Sequence, residues 1–182
     1  MAKQFAHFEQ SHLDLIAESH IFFVGTAAPT GNVNISPKGR DSLRVLGPNR
    51  LIWRNLTGSG NETAGHLALI NRMTLMWCSF STRPVILRAY GTAKIVTPND
   101  ADWRLNADFP PDTGARQIYD MQVDIVQTSC GYAVPFMDFV EERDTLAKWS
   151  AQRSEEDIKA YWLQKNTRTI DGFETGIESQ AN

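Results

Sequence analysis

The sequence predicts a mainly β fold in which an antiparallel barrel carries helices at its ends. Segments rich in β-branched and aromatic residues follow one another through short turns, which is typical of antiparallel strands. These segments do not alternate regularly with helical ones, as a doubly wound parallel sheet would require. Because no repeat or linker divides the 182 residues, we expect one domain over 1–182, with a helical extension from about 138 to 182.

Hydrophobic periodicity gives the individual elements. Helical spacing from Phe5 to Ile16 predicts an opening helix that ends near His20. A second helix should follow Gly60, a short one should cover 98–107, and the tail should be helical from about 138 to 165. Strands are predicted over 20–28, 33–39, 51–56, 72–80, 84–96 and 117–129. The first two strands should form a hairpin, and Gly91 should mark a bulge in the long fifth strand.

Composition excludes several classes of protein. The formal net charge of −3 and the scattered basic residues argue against a nucleic-acid partner. The longest apolar run is far shorter than the roughly 18 residues of a membrane span, and the N-terminus has no signal-peptide pattern. We therefore expect a cytoplasmic protein with no membrane partner.

The stretch NLTGSGNETAGHL, residues 55–67, permits two interpretations. Ser59 and Glu62 have the spacing of a capping box, which would only begin a helix. The same glycines and the free amides of a helix N-terminus could also hold an anion, with Asn61 and Thr63 as neutral donors. Lys38, at the end of the second strand, could approach this loop if that strand lies beside the third in a barrel.

Other chemical motifs are missing from the sequence. No Lys follows a glycine at the Walker A spacing, and Thr63 replaces the third glycine of a dinucleotide fingerprint. The four histidines have no metal-ligand spacing, so we expect no metal site. No G-x-S-x-G nucleophile motif occurs, and Cys130 has no flanking base or cation.

The segments VNISPKG, LIWRNLTGSGNETAGHLALINRMTLMWCSF and VILRAYGTAKIV together resemble the pyridoxamine 5'-phosphate oxidase-like family of flavin-binding split barrels. The resemblance extends through TSCGYAVPFMDFVEERDTLAKW and KNTRTIDGF to an uncharacterised branch of that family. It implies a six-stranded antiparallel split barrel that forms a homodimer and holds flavin mononucleotide (FMN) at the subunit interface.

The resemblance also implies a set of cofactor-binding residues. The strand 33–39 should line the flavin and meet the phosphate at its terminal lysine, and the strand 51–56 should pass the ring system. The start of the helix that follows the glycine loop (residues 57–61) should clamp the phosphate. The residues carried over in this way are Asn34, Ile35, Ser36, Lys38, Trp53, Asn55, Asn61 and Thr63, with Arg88 as a further cation near the cofactor. Asn61, Glu62 and Thr63 replace a clamp that is usually Ser-Arg-Lys, so two cations are missing there.

The expected activity is that of an FMN-dependent oxidoreductase acting on a small organic substrate, with no catalytic side chain assigned. The family's Arg- and Trp-rich C-terminal segment ending in Pro is absent, so pyridoxamine phosphate itself is not the expected substrate. The alternative is a non-catalytic module that binds a flavin, a deazaflavin or haem as a sensor.

Overall fold

The computed structural model describes residues 2–39 and 41–181, and the side chains of 180 and 181 are left out of the description. The strands in chain order are β1 (Lys3–Phe5), β2 (Phe22–Ala27), β3 (Val33–Lys38), β4 (Leu43–Gly47), β5 (Arg50–Leu56), β6 (Met73–Cys78), β7 (Val85–Val96) and β8 (Ala115–Cys130). The α-helices are α1 (Gln10–Glu18), α2 (Glu62–Leu69), α3 (Thr145–Ala151), α4 (Glu155–Lys165) and α5 (Glu178–Ala181), and a 3-10 helix spans Ala101–Asp108.

All eight strands of the described residues belong to one antiparallel sheet in the order β3-β2-β6-β7-β8-β5-β4, with β1 paired to the far half of β8. The long strands β7 and β8 form the spine, because they pair with each other over their whole length. The mainly β, antiparallel split-barrel class predicted from the sequence is confirmed, and each of the six predicted strands is present. Two short strands, β1 and β4, were not predicted, since three and five residues carry little periodic signal.

Aromatic side chains fill the interior of the curled sheet. Trp53 stacks on Tyr119 with ring centroids 4.6 Å apart, and Phe22 contacts both Trp53 and Trp77. All four rings are almost entirely buried. Trp53 also lines the candidate site described below, so this cluster supports one side of that site.

Gly91 interrupts the pairing of β7 with β8, as the sequence predicts. The register shifts between Tyr90 and Gly91. A β-carbon at position 91 would lie 1.9 Å from the carbonyl oxygen of Gln122 on the neighbouring strand. Only glycine lets the two backbones approach this closely at the bulge.

Two helix predictions are wrong in extent. The opening helix begins at Gln10, because Phe5 belongs to β1. Helical structure in the tail begins only at Thr145, and residues 131–144 form neither helix nor strand. In that segment Phe139 stacks on His20 with ring centroids 3.6 Å apart, and the Met137 amide donates to the Phe80 carbonyl. These two contacts attach the segment to residues that are distant in sequence.

The C-terminal extension has a small core of its own, formed by Ile158, Trp162 and Ile177. Trp162 also donates its indole N–H to the Thr57 hydroxyl at 2.8 Å, which ties the extension to the glycine loop. That 1–182 behaves as one domain stays a prediction. In the described residues no helix is long and apolar enough to cross a membrane.

Candidate functional site

A polar cleft of about 370 Å³ lies between β3, the end of β5 and the start of α2. Seven of the nine residues predicted from the sequence line it, and together with Arg116 and the glycine loop they form its walls. The predicted residues brought together here are Asn34, Ser36, Lys38, Trp53, Asn55, Asn61 and Thr63.

β3 supplies one wall through strand alternation. Asn34, Ser36 and Lys38 face the cleft, whereas Val33 and Ile35 point away and are 70% and 68% exposed. Successive side chains of a strand face opposite sides, so this split follows directly from the sequence. Ile35, which was predicted to bind the cofactor, does not line the cleft, and its contact with a cofactor stays a prediction.

β3 and β5, the second and third strands predicted from the sequence, are not hydrogen-bonded neighbours, so Lys38 does not approach the glycine loop through direct pairing of these strands. They lie on different parts of the strand order, and β5 pairs with β4 and β8 instead. The curl of the sheet nevertheless brings Lys38 over the Trp53 ring, with the ammonium nitrogen 5.1 Å from the ring centroid. Lys38 and the glycine loop therefore line the same cleft.

The end of β5 positions the amides of the site. The register of β5 against β8 shifts between Asn55 and Leu56, and the chain then leaves the sheet as the glycine loop. The Asn55 amide nitrogen lies 3.3 Å from both the Asn61 and the Gln117 side-chain oxygens. Gln117 also accepts from the Tyr119 hydroxyl at 3.2 Å, so the network is anchored in the aromatic core.

A second polar chain connects β3 with α2. The Asn34 amide lies 3.4 Å from the Thr26 hydroxyl and 3.5 Å from the Thr63 hydroxyl, and the Ser36 hydroxyl donates to Asn34 at 3.1 Å. Thr26 is in turn 3.1 Å from the Nδ1 atom of the buried His66. These contacts fix the side chains along the cleft wall before any ligand arrives.

The predicted capping box of Ser59 and Glu62 is wrong. The helix begins at Glu62 with Asn61 as its N-cap, and no side chain caps it. The Glu62 carboxylate instead accepts from the Ile170 backbone amide at 3.1 Å, so it is turned toward the C-terminal segment. The Ala64 amide donates to the Asn61 carbonyl at 3.1 Å, whereas the amides of Glu62 and Thr63 have no intrahelical acceptor and lie at the positive end of the helix dipole.

Two cations meet in the cleft without a carboxylate partner. Burial, and next the nearby Arg116 charge, lower the pKa of Lys38 to about 8. Burial also lowers the pKa of Arg116 to about 10. Among the described residues, no ion pair involves either side chain. Two like charges held together in a partly dry site create a strong preference for an anion between them.

Arg116 is the main site residue that sequence reasoning missed. It is 2% exposed and lies at the start of β8. One guanidinium nitrogen donates to the Asn166 oxygen at 2.6 Å and the other to the Gly60 carbonyl at 3.1 Å. The sequence offered one signal, an arginine at the beginning of a strand that is otherwise buried, but nothing in it places β8 against the glycine loop.

Buried donors in this region lack acceptors. The Asn61 amide nitrogen, the Arg116 Nε atom and the Gln117 amide nitrogen are inaccessible to solvent and have no hydrogen-bond partner among the described residues. Native proteins leave few such groups unpaired, because each costs roughly 1–3 kcal/mol. These three donors are therefore unused, and they are closed to a ligand as the cleft stands.

Arg88 lies outside the cleft. It belongs to the middle of β7, and its guanidinium donates to the Ser129 hydroxyl at 3.1 Å. Its predicted place near a cofactor stays a prediction, and within this chain it is not part of the cleft described above.

A wider groove of about 620 Å³ adjoins the cleft and shares Lys38 and Gly58 with it. The C-terminal extension forms one side of this groove through Trp149 and Tyr161, whose rings meet edge to face at 5.2 Å. Its size and mixed lining are typical of small-molecule sites.

The fold and this cleft define a split β-barrel protein with a polar cleft that contains two cationic side chains. Among solved structures, a putative pyridoxamine 5'-phosphate oxidase from Lactobacillus delbrueckii is similar with a TM-score of 0.55 and 17% identity, over 67% of this chain and 94% of that one. HupZ from Group A Streptococcus gives a TM-score of 0.51 and 21% identity, over 65% of this chain and 91% of that one. At these identities the likeness shows the fold alone.

No family model matches the chain. It is, however, 32% identical over 174 residues to the pyridoxamine 5'-phosphate oxidase family protein ustO of Aspergillus flavus, a match that spans 84% of this chain and 69% of that protein. The chain therefore belongs to the pyridoxamine 5'-phosphate oxidase family, as the resemblance in the sequence indicates.

Proposed function

We propose that this protein binds FMN in the cleft between β3, β5 and α2 and acts as an oxidoreductase on a small organic substrate. The observation that carries the proposal is the pair of unpaired cations, Lys38 and Arg116, facing the glycine loop. A phosphate monoester carries nearly two negative charges at neutral pH and has three strong acceptor oxygens. It would neutralise both cations.

Arg116 compensates for the cations missing from the helix start. The sequence has Asn61, Glu62 and Thr63 where the family clamp carries two basic residues. Arg116 reaches the same loop from β8, and Glu62 is turned away toward Ile170. These contacts support phosphate binding at this loop with a different cation from the one expected.

The remaining parts of the cleft suit a flavin. Asn34, Ser36 and Asn55 offer neutral hydrogen-bonding groups of the kind that meet a polyol chain or the polar edge of a ring. Bound FMN would supply the redox chemistry, a two-electron exchange at its ring. The chain's own residues bind and orient the cofactor and its partner molecule, and the groove beside Lys38 offers a place for that molecule.

Homodimer formation and a cytoplasmic location are further parts of the proposal. β3 is an edge strand, and its outward side chains Val33 and Ile35 form an exposed apolar strip beside the cleft. Such a strip on an edge strand is a common feature of subunit interfaces. A second subunit placed there would cover the strip next to the site.

The first experiment is to purify the protein at neutral pH, record its visible spectrum and identify any released ligand by mass. We expect the two absorption bands of an oxidised flavin and the mass of FMN. A colourless protein that also fails to bind added FMN would contradict the proposal, and a haem or deazaflavin spectrum would support the sensor alternative.

The second experiment separates an enzyme from a binding module. The flavin-loaded protein is mixed anaerobically with NADH or NADPH, and flavin bleaching is followed. Reduction followed by reoxidation with an added acceptor supports an oxidoreductase. A flavin that binds tightly and never cycles with any donor tested would support the non-catalytic module.

A further inference from the structure

We propose that Asn166 is a positioning residue that holds the Arg116 guanidinium at the cleft, so that the C-terminal segment completes the anion site. The inference rests on the proposed function, because it assigns Arg116 to the phosphate. Asn166 is completely buried and lies just after α4, far from the cleft in sequence. No motif in the glycine loop points to it.

Asn166 joins the two halves of the phosphate site by a pair of hydrogen bonds. Its side-chain oxygen accepts from Arg116 at 2.6 Å, and its amide nitrogen donates to the Gly58 carbonyl at 3.0 Å. The Gly60 carbonyl accepts the other Arg116 nitrogen at 3.1 Å. The guanidinium is thus held by neutral acceptors, which orient it and leave its charge uncompensated.

The choice of an amide at position 166 has a chemical consequence. A carboxylate there would make the same hydrogen bond to Arg116, but it would neutralise the guanidinium and repel a phosphate. An amide orients the cation without competing for it. Arg116 has five N–H donors. These contacts use two and the Nε donor has no accessible surface, so at most two remain for a ligand.

The segment around Asn166 is fastened on both sides of the cleft. Trp162 donates to the Thr57 hydroxyl before it, and the Ile170 amide donates to Glu62 after it. Asp171 then accepts from the Asn32 backbone and side-chain nitrogens at 2.8 and 2.7 Å, in the turn that leads into β3. Residues 162–171 therefore form a clasp from the glycine loop to β3, and Asn166 is its contact with the buried cation.

The test compares the dissociation constants of FMN and riboflavin, which differ only in the phosphate. Both are titrated by flavin fluorescence into the wild-type apoprotein and Asn166→Asp. We expect the FMN constant to rise at least tenfold in Asn166→Asp, while the riboflavin constant changes less than twofold. Asn99→Asp, which adds the same charge at an exposed asparagine of the described surface, is the matched control and should leave both constants unchanged.

A general loss of structure would weaken both ligands together, so the ratio of the two constants distinguishes positioning from folding. If Asn166→Asp does not fold, Asn166→Ser removes the contact without a charge and should raise the FMN constant about threefold or more with riboflavin unaffected. An unchanged ratio in a folded variant would overturn the role of Asn166. A wild-type protein that binds both ligands equally would instead overturn the phosphate site itself.

Discussion

At the scale of single residues, the cleft combines groups that the sequence could predict with one that it could not. Asn34, Ser36 and Lys38 were predictable, because alternation along a strand places every second side chain on one face. Arg116 was not, because it enters the cleft through the pairing of β5 with β8, a long-range contact. The helix start lacks the two basic residues of the family clamp, as the sequence shows. A replacement cation, Arg116, contacts the same loop from a strand more than 50 residues further along the chain.

Lys38 should strengthen FMN binding and at the same time lower the apoprotein's free energy of unfolding. Folding lowers its pKa through burial and through Arg116, so its charged form is destabilised in the apoprotein at neutral pH. We expect Lys38→Met to raise the FMN dissociation constant roughly 10- to 100-fold, the scale of a hydrogen bond to a charged group. The same change should raise the apoprotein's free energy of unfolding by about 1 kcal/mol.

Flavin titration and urea unfolding measure these two effects. Lys94→Met is the control, since Lys94 is an exposed lysine paired with Asp102 away from the cleft. It should leave FMN binding unchanged. A Lys38→Met protein with wild-type FMN affinity would remove Lys38 from the site.

FMN binding should depend on pH with a defined sign. The Lys38 ammonium has a pKa of about 8 in the apoprotein, so it is charged below that pH and becomes neutral above it. The phosphate gains its second charge above about pH 6. Affinity should therefore be greatest between about pH 6 and 8 and fall as pH rises further, and Lys38→Met should flatten the fall above pH 8. A titration series across this range and into the alkaline region measures this, and a flat profile in the wild type would contradict it.

At the scale of elements, the long segments were predictable and the short or irregular ones were not. Gly91 was identified from its place within a long apolar strand, and its bulge is present. β4 was missed because its five residues, LRVLG, resemble a loop between two turns. Residues 138–144 were assigned to a helix, but they have no regular structure, and Phe139 stacks on the sequence-distant His20, a contact that local patterns do not encode.

Gly91→Ala should be strongly destabilising. The added methyl group would lie 1.9 Å from the Gln122 carbonyl oxygen, on backbone that cannot rotate away. We expect a loss of roughly 2–4 kcal/mol in the free energy of unfolding, as for a severe overpacking mutation. Gly47→Ala is the matched control, because a β-carbon at the end of β4 would have no atom within 4 Å. Similar stability of the two variants in urea unfolding would contradict the bulge geometry.

At the scale of the whole molecule, a barrel and a C-terminal extension meet at the glycine loop. The barrel supplies Lys38, Asn55 and the aromatic cluster, and the extension supplies Asn166 and the wall of the adjoining groove. The sequence predicted the barrel and its cleft because local patterns and family motifs both fall there. It could not predict the contribution of the extension, since that depends on contacts between residues about 50 to 140 positions apart.

The proposed homodimer should depend on the exposed face of β3. Ile35→Lys places a charge in the apolar strip, and we expect the dimer dissociation constant to rise at least tenfold in sedimentation experiments. Ile125→Lys is the control, since Ile125 is also an exposed apolar side chain but lies on β8, away from the edge strand β3. Equal dissociation of both variants, or a wild-type monomer, would contradict an interface at β3.

The most direct measurement is the ratio of the riboflavin and FMN dissociation constants for the wild-type apoprotein at neutral pH. If Lys38, Arg116 and the glycine loop hold a phosphate, FMN should bind roughly 100-fold or more tightly than riboflavin, as expected for two charged contacts. Equal constants, or no binding of either molecule, would contradict this account of the cleft.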